Sequence, residues 1–171
     1  LQRQKLYRMR PDGKEPQLIA DPRILASFWA RGAQALDFAV SGDNLLLLSN
    51  KGVEVFQAGA DQKLRPVGQD AVKGGRLQWL DDQILLFGAE PSLVIYQLQD
   101  HHLNERTRIP LPAPLLDVQT DGSRLFALDT QGALWQFDLS APQSPRLQAK
   151  YSGLSGQRRF SAHGQRVLLA G

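Results

Sequence analysis

The sequence predicts an all-β chain of four-stranded antiparallel sheets, a β-propeller or an arc of one with about four blades' worth of strands. Three observations lead there. First, one order of elements repeats: a short apolar strand, a Gly turn, a strongly apolar strand, a Gly or Pro turn, an aromatic strand and a polar strand. Leu36-Asp37-Phe38, Gly42, Leu45-Leu46-Leu47-Leu48, Gly52 and Val53-Glu54-Val55-Phe56 return as Leu116-Asp117-Val118, Gly122, Leu125-Phe126-Ala127-Leu128, Gly132 and Ala133-Leu134-Trp135. These copies lie about 80 residues apart with another between them, so the unit is about 40 residues, the length of a blade. Second, the second strand of each unit is apolar at almost every position, as in Ile84-Leu85-Leu86-Phe87, which predicts burial on both faces between neighbouring blades; a sandwich strand would alternate. Third, the fourth strands are polar and carry Pro66, Pro110 or a preceding Pro145. That suits an outer edge, where a missing N–H is harmless and further pairing must be discouraged.

Alternation and turn residues place the elements in order. Residues 1–33 supply an outer half-blade, with strands at 5–9 and 16–20 around the turn Pro11-Asp12-Gly13. The stretch 23–31, with Ile24, Leu25, Phe28 and Trp29, fits neither period and is expected as a short helix or irregular strand over the blade edge. Blades follow at about 34–73, 74–112 and 113–153. The first uses strands at 35–40, 45–49, 53–57 and 64–68; the second 76–80, 83–87, 93–98 and 106–111; the third 115–120, 124–128, 133–139 and 146–151. An inner half-blade at 154–171 has strands at 159–162 and 166–170. The terminal halves either complete one blade and close a small ring, pairing 5–9 with 166–170, or belong to an arc cut from a larger ring. The abrupt end at Leu169-Ala170-Gly171 favours the arc, and the start lacks both an initiator Met and an apolar signal core.

Composition sets broad bounds. With 42% hydrophobic and 22% charged residues the chain can bury a core, and no apolar run is long enough to span a bilayer. There is no Cys, which removes disulfides and thiolate metal sites and is compatible with the cytoplasm, a bacterial periplasm or a bacterial surface. The net charge of +3 is spread over small groups, Arg3, Lys5, Arg8 and Arg10, and Arg158 with Arg159. No aromatic platform is interleaved with them, so they read as solvated strand faces and nucleic acid is not expected.

The third blade carries a resemblance. Leu125-Phe126-Ala127-Leu128-Asp129, Gly132 and the run from Leu134 through Asp138-Leu139-Ser140-Ala141-Pro142-Gln143-Ser144-Pro145 to Leu147 resemble the LVIVD-type repeats of bacterial propeller proteins. That family's members are mostly surface or secreted proteins. The earlier blades lack the Ser-x-Pro-x-x-Pro turn. Asp129, Gly132 and Trp135 also resemble the Ala-x-Asp-x-x-x-Gly-x-x-x-Trp motif of quinoprotein-type repeats, with both gaps one residue short; that family includes dehydrogenases and a cofactor-free outer-membrane assembly factor. The Gly-His and Trp-Asp signatures of WD repeats fail on spacing or are absent.

Few residues suggest chemistry. Asp37 and Asp117 occupy equivalent places in first strands, with Gln78 at this place in the second blade and Ser161 or a neighbour in the fourth; Asp37, Gln78 and Asp117 are candidate channel-lining residues. A carboxylate ring could hold a cation there, but acceptance of backbone N–H groups from a neighbouring blade is the preferred reading. Asp129 and Asp138 sit at turn-capping positions. Adjacent His101 and His102 point apart on an extended segment and do not make a metal pair; His163 in its turn lacks a nucleophile partner. Aromatic residues at strand spacing, Phe38, Trp79, Phe87, Tyr96, Phe126, Trp135, Phe137 and Phe160, are expected in inter-blade packing. The expectation is a non-enzymatic, protein-binding scaffold of a bacterial surface, secreted or envelope protein, without cofactor or metal. Its candidate partner-binding loops carry His101, His102, Asn104, Gln143, Arg158 and Arg159. The alternatives are a propeller enzyme of quinoprotein or lactonase type, with its ligands in missing blades, and an outer-membrane assembly factor.

Overall fold

The computed structural model describes Tyr7–Arg8, Gln17–Leu18 and residues 33–61, 63–80, 82–163 and 166–171. All of its regular structure there is β. Strands β1 (Tyr7–Arg8) and β2 (Gln17–Leu18) form a two-stranded antiparallel sheet. Then come β3 (Ala35–Ser41), β4 (Asn44–Ser49), β5 (Gly52–Ala58) and β6 (Leu64–Asp70); β7 (Arg76–Leu80), β8 (Gln83–Phe87), β9 (Ser92–Gln99) and β10 (His102–Pro110); and β11 (Leu115–Asp121), β12 (Arg124–Asp129), β13 (Leu134–Asp138) and β14 (Arg146–Tyr151). Each group of four is one antiparallel meander in sequence order, and β15 (Arg159–His163) with β16 (Arg166–Ala170) forms a final two-stranded sheet. The rest of the expected N-terminal strands, the Pro11-Asp12-Gly13 turn and the 23–31 stretch lie outside the described residues, as do Lys5, Leu6 and Met9 of the expected closing strand. The chain divides into two compact units, Leu1–Val72 and Lys73–Gly171.

The second strands behave as their composition requires. Leu45 to Leu48, Ile84 to Phe87 and Leu125 to Leu128 are all buried. In the second unit their two faces serve different cores. Leu125 and Ala127 pack with Leu85, Leu93, Ile95, Trp135 and Phe137 between the β7–β10 and β11–β14 sheets. Phe126 and Leu128 pack with Leu134 and Phe160 against β15 and β16. In the first unit Leu45, Leu47, Phe56 and Leu64 gather with Ala33. Phe38 departs from the expected aromatic packing: it is half-exposed, with Leu36 and Val40 on the same face of β3.

Gly52 and Gly132, equivalent in the repeat, follow second strands for the same steric reason. Each has a positive φ (134° and 78°), and a Cβ would fall 2.2 Å from the Asp70 carbonyl oxygen at Gly52 and 2.5 Å from the Ser155 nitrogen at Gly132. The chain leaving the outer strand passes directly over these turns, so only Gly fits.

Two expected boundaries move. The sequence predicts a blade-tip loop at His101 and His102 ahead of a strand at 106, yet β10 begins at His102, joined to β9 by a two-residue turn with positive φ at Asp100 (49°) and His101 (66°). Such a turn normally carries Gly or Asn, and here Asp and His adopt it, so the sequence lacks its usual mark. His102 and Asn104 are therefore strand residues. His163 likewise closes β15 and is not in the turn.

Tyr96 of β9 lies opposite Glu105 of β10. Burial first, and the Glu105 charge second, push its phenol above the usual tyrosine range. A raised folded-state pKa favours the neutral phenol, so this contribution is fully present below the ordinary tyrosine pKa of about 10 and is lost as pH rises through the folded value. Ultraviolet titration should show a component ionising above the usual tyrosine range, and Tyr96→Phe should remove that component and flatten the alkaline loss of thermal stability.

Candidate functional site

Meandering strands put alternate turns at opposite ends of a sheet. In the second unit the turn between Leu80 and Gln83, the Asp100–His101 turn, the turn between Asp121 and Arg124 and the β13–β14 loop (139–145) share one end. The connections around 88–91, 111–114, 130–133 and 152–158 share the other. This divides the candidate loop residues. His101, His102, Asn104 and Gln143 belong toward the first end, whereas Arg158 and Arg159, where β15 begins, are at the second.

At the first end a groove of about 250 Å³ opens between the β7–β10 sheet and the β13–β14 loop, lined by Asp82, Gln83, Gln97, Arg106, Ala141, Pro142 and Gln143. Arg106 reaches it because β10 bulges between Glu105 and Thr107, and a bulge re-aims the extra side chain. Its guanidinium donates to Gln97 Oε1, and Gln97 Nε2 donates in turn to Asp82 Oδ2 at 3.5 Å. Gln83 Oε1 is buried and accepts no hydrogen bond. On the facing side, the β13–β14 loop is anchored by Asp138, which accepts from the Ser140 N–H at 2.8 Å and from the Ser140 hydroxyl; these bonds hold its carboxyl below the usual range. Of the expected loop residues only Gln143 lines this groove. Arg106, Gln97, Gln83 and Asp82 carry no motif, and the bulge that aims Arg106 has no Gly or Pro to mark it. Beside the groove's outer strand, Arg108 Nη2 pairs with Glu105 Oε2 at 2.8 Å. Asn104 Nδ2 donates to the His102 carbonyl.

Acceptance of a backbone N–H from a neighbouring sheet, the reading preferred for Asp37 and Asp117, is met at Asp117, whereas the bond described for Asp37 is local to its own strand. Phe38 N–H donates to Asp37 Oδ1 at 2.9 Å and Val118 N–H to Asp117 Oδ1 at 3.1 Å, the same local geometry in two repeats. Asp117 Oδ2 also accepts from Phe160 N–H at 3.3 Å, tying β11 to β15 of the next sheet. Gln78 is two residues out of register with them. Asp37 pairs with Leu48, Asp117 with Leu128 and Arg76, not Gln78, with the equivalent Phe87; in β15 the place falls to Arg159, not Ser161, opposite Ala170. Arg76 Nη1 donates to the Leu116 carbonyl at 3.3 Å, again toward the following sheet. Counting back from the two-residue hairpin turn identifies Arg76 as the equivalent residue. Among the described residues no three His, Asp or Glu side chains gather as a metal site.

Asp129 is a structural lock. Nearly fully buried, its Oδ1 accepts from Gln131 and Ala133 N–H at 2.9 and 2.8 Å, and its Oδ2 accepts from the Trp135 indole at 2.9 Å. Lys150 Nζ stands 4.4 Å above the centroid of the Trp135 ring, a cation–π contact.

No protein family matches the chain, and no curated protein matches it in sequence. Solved structures do. A protein from Lactobacillus plantarum superposes with a TM-score of 0.65 at 15% identity, over 80% of this chain and 48% of its own. Kluyveromyces lactis Hsv2 with its loop 6CD replaced by a Gly-Ser linker gives 0.55 at 11% identity, over 81% of this chain and 45% of its own. Unaltered K. lactis Hsv2 gives 0.50 at 13%, over 70% and 37%. The chain thus spans about half or less of the structures it resembles. At these identities the likeness concerns fold alone: these neighbours are β-propeller-like, and the chain has the all-β, four-stranded-sheet architecture of propeller blades.

Proposed function

We propose that the chain is a non-enzymatic interaction scaffold that holds a protein partner at the loop end of its second and third blades, within a bacterial surface, secreted or envelope protein. The observation that carries this reading is the groove between the bulge-aimed Arg106 and the β13–β14 loop. At about 250 Å³ it is below the roughly 300–1,000 Å³ of pockets that enclose small-molecule ligands, but it suits a side chain at the rim of a protein interface. Its polar groups are mixed: a guanidinium, a carboxylate and three carboxamides. These stand on rigid sheets whose second strands are fully buried, the arrangement in which loops serve recognition. The resemblance of the loop to LVIVD-type repeats supports the bacterial envelope setting. The indole bond to Asp129 gives the quinoprotein-like residues a packing role, which agrees with the cofactor-free assembly factor as the second reading.

The test places a photo-crosslinking residue at position 143 and, as a control, at position 158 of the full chain. In bacterial envelope extract, position 143 should give one discrete protein adduct that excess unmodified chain competes away, and position 158 should not give it. Equal labelling at both positions, or none at 143, contradicts the reading.

A further inference from the structure

Arg106 is a cation whose surroundings leave its charge unmatched. On the same two sheets Arg108 pairs with Glu105 at 2.8 Å and Arg124 with Asp121 at 2.7 Å. Arg106 has no carboxylate partner among the described residues, and its Nη2 donates to a neutral acceptor, Gln97 Oε1. Gln97 Nε2 donates in turn to Asp82 Oδ2 at 3.5 Å, so this carboxamide stands between the two charges with its oxygen turned to the cation. A guanidinium carries five N–H donors and no acceptor. The donors on Nε and Nη1 of Arg106 have no acceptor among the described residues, and the side chain is exposed.

The facing wall of the groove is the β13–β14 loop, which presents Ala141, Pro142 and Gln143. Ala141 and Pro142 offer apolar surface to the methylene stem of an incoming side chain, and the exposed Gln143 carboxamide offers a further N–H donor. An apolar wall beside an unmatched guanidinium and a carboxamide suits a carboxylate on a short aliphatic stem. A basic side chain has Asp82 to pair with but brings a like charge to Arg106, and a neutral amide forgoes the charge-assisted, two-pronged bond that a carboxylate makes to a guanidinium.

We propose, on the reading of this groove as a partner site, that the residue inserted there is acidic: a glutamate or aspartate whose carboxylate accepts from Arg106 and Gln143 while its stem packs on Ala141 and Pro142. Charge thereby selects the partner, since the same surface turns away a lysine or arginine at this position.

The test titrates the full 15N-labelled chain with three capped peptides, acetyl-Gly-Ala-X-Ala-Gly-amide with X as Glu, Gln or Lys, at constant ionic strength. The Glu peptide should give saturable shifts of the Arg106 Nε–H and the Gln143 carboxamide and bind about tenfold more tightly than either other peptide, the value of a charge-assisted hydrogen bond. Its binding should weaken as salt is raised. Arg106→Gln should abolish the preference while the remaining amide spectrum is kept, and Arg158→Gln, at the opposite end, should leave it intact. Equal binding of the three peptides, tighter binding of the Lys peptide, or no saturable shift at Arg106 and Gln143 overturns the acidic assignment. The crosslink at position 143 separates that failure from failure of the groove as a partner site. An adduct there without a Glu preference overturns the acidic assignment alone, and a Glu preference without an adduct upholds it while contradicting the envelope partner.

Discussion

Asp129→Ala is expected to destabilise the chain by about 3 kcal/mol, because two backbone N–H groups and one indole N–H would lose their acceptor in a buried turn. Urea unfolding followed by Trp fluorescence would read both the midpoint and the altered environment of Trp135. Asp129→Asn should cost less: it keeps one carbonyl oxygen, but its amide must face either the indole or a backbone N–H, each a donor. Equal stability of the Ala variant and the native chain would mean that the motif's Asp and Trp are not coupled.

Leu85→Ala should cost roughly 2–5 kcal/mol, the range for emptying a fully packed core position. Leu85 is completely buried between the second and third sheets, so the loss combines transfer free energy with a cavity that two stiff sheets cannot easily close. Leu168→Ala, on an exposed position, should stay within about 0.5 kcal/mol. Circular dichroism melts of both variants provide the comparison. Similar losses at the two positions would contradict the stacked-sheet architecture.

The architecture was legible because its signal is redundant: strands apolar on both faces, such as Leu45 to Leu48, have few folds open to them, and Gly52 and Gly132 mark the turns that must pass beneath another chain segment. The limits were local. The Asp100–His101 turn uses residues that tolerate a left-handed backbone without announcing it, which moved His102 and Asn104 from loop to strand. Arg106 enters the groove through a bulge, a one-residue departure from alternation that hydrophobic periodicity cannot register. Gln78 is not the counterpart of Asp37 and Asp117, because the count from the hairpin turn leads to Arg76. Gln143 was found as a loop residue, but its neighbours across the groove belong to another repeat, and a single sequence gives no pairing information at that distance.

Partner binding at the Arg106–Gln143 groove, as proposed, depends on those two side chains. The affinity of the partner crosslinked at position 143, measured by calorimetry against the native chain and an Arg106→Glu/Gln143→Ala variant, tests it most directly. At least a tenfold weaker Kd with an unchanged melting temperature is expected, both side chains being exposed. An unchanged Kd would contradict it, as would a hydrolase or dehydrogenase turnover by the native chain that disappears with Asp37→Ala or Asp117→Ala while the groove variant keeps it.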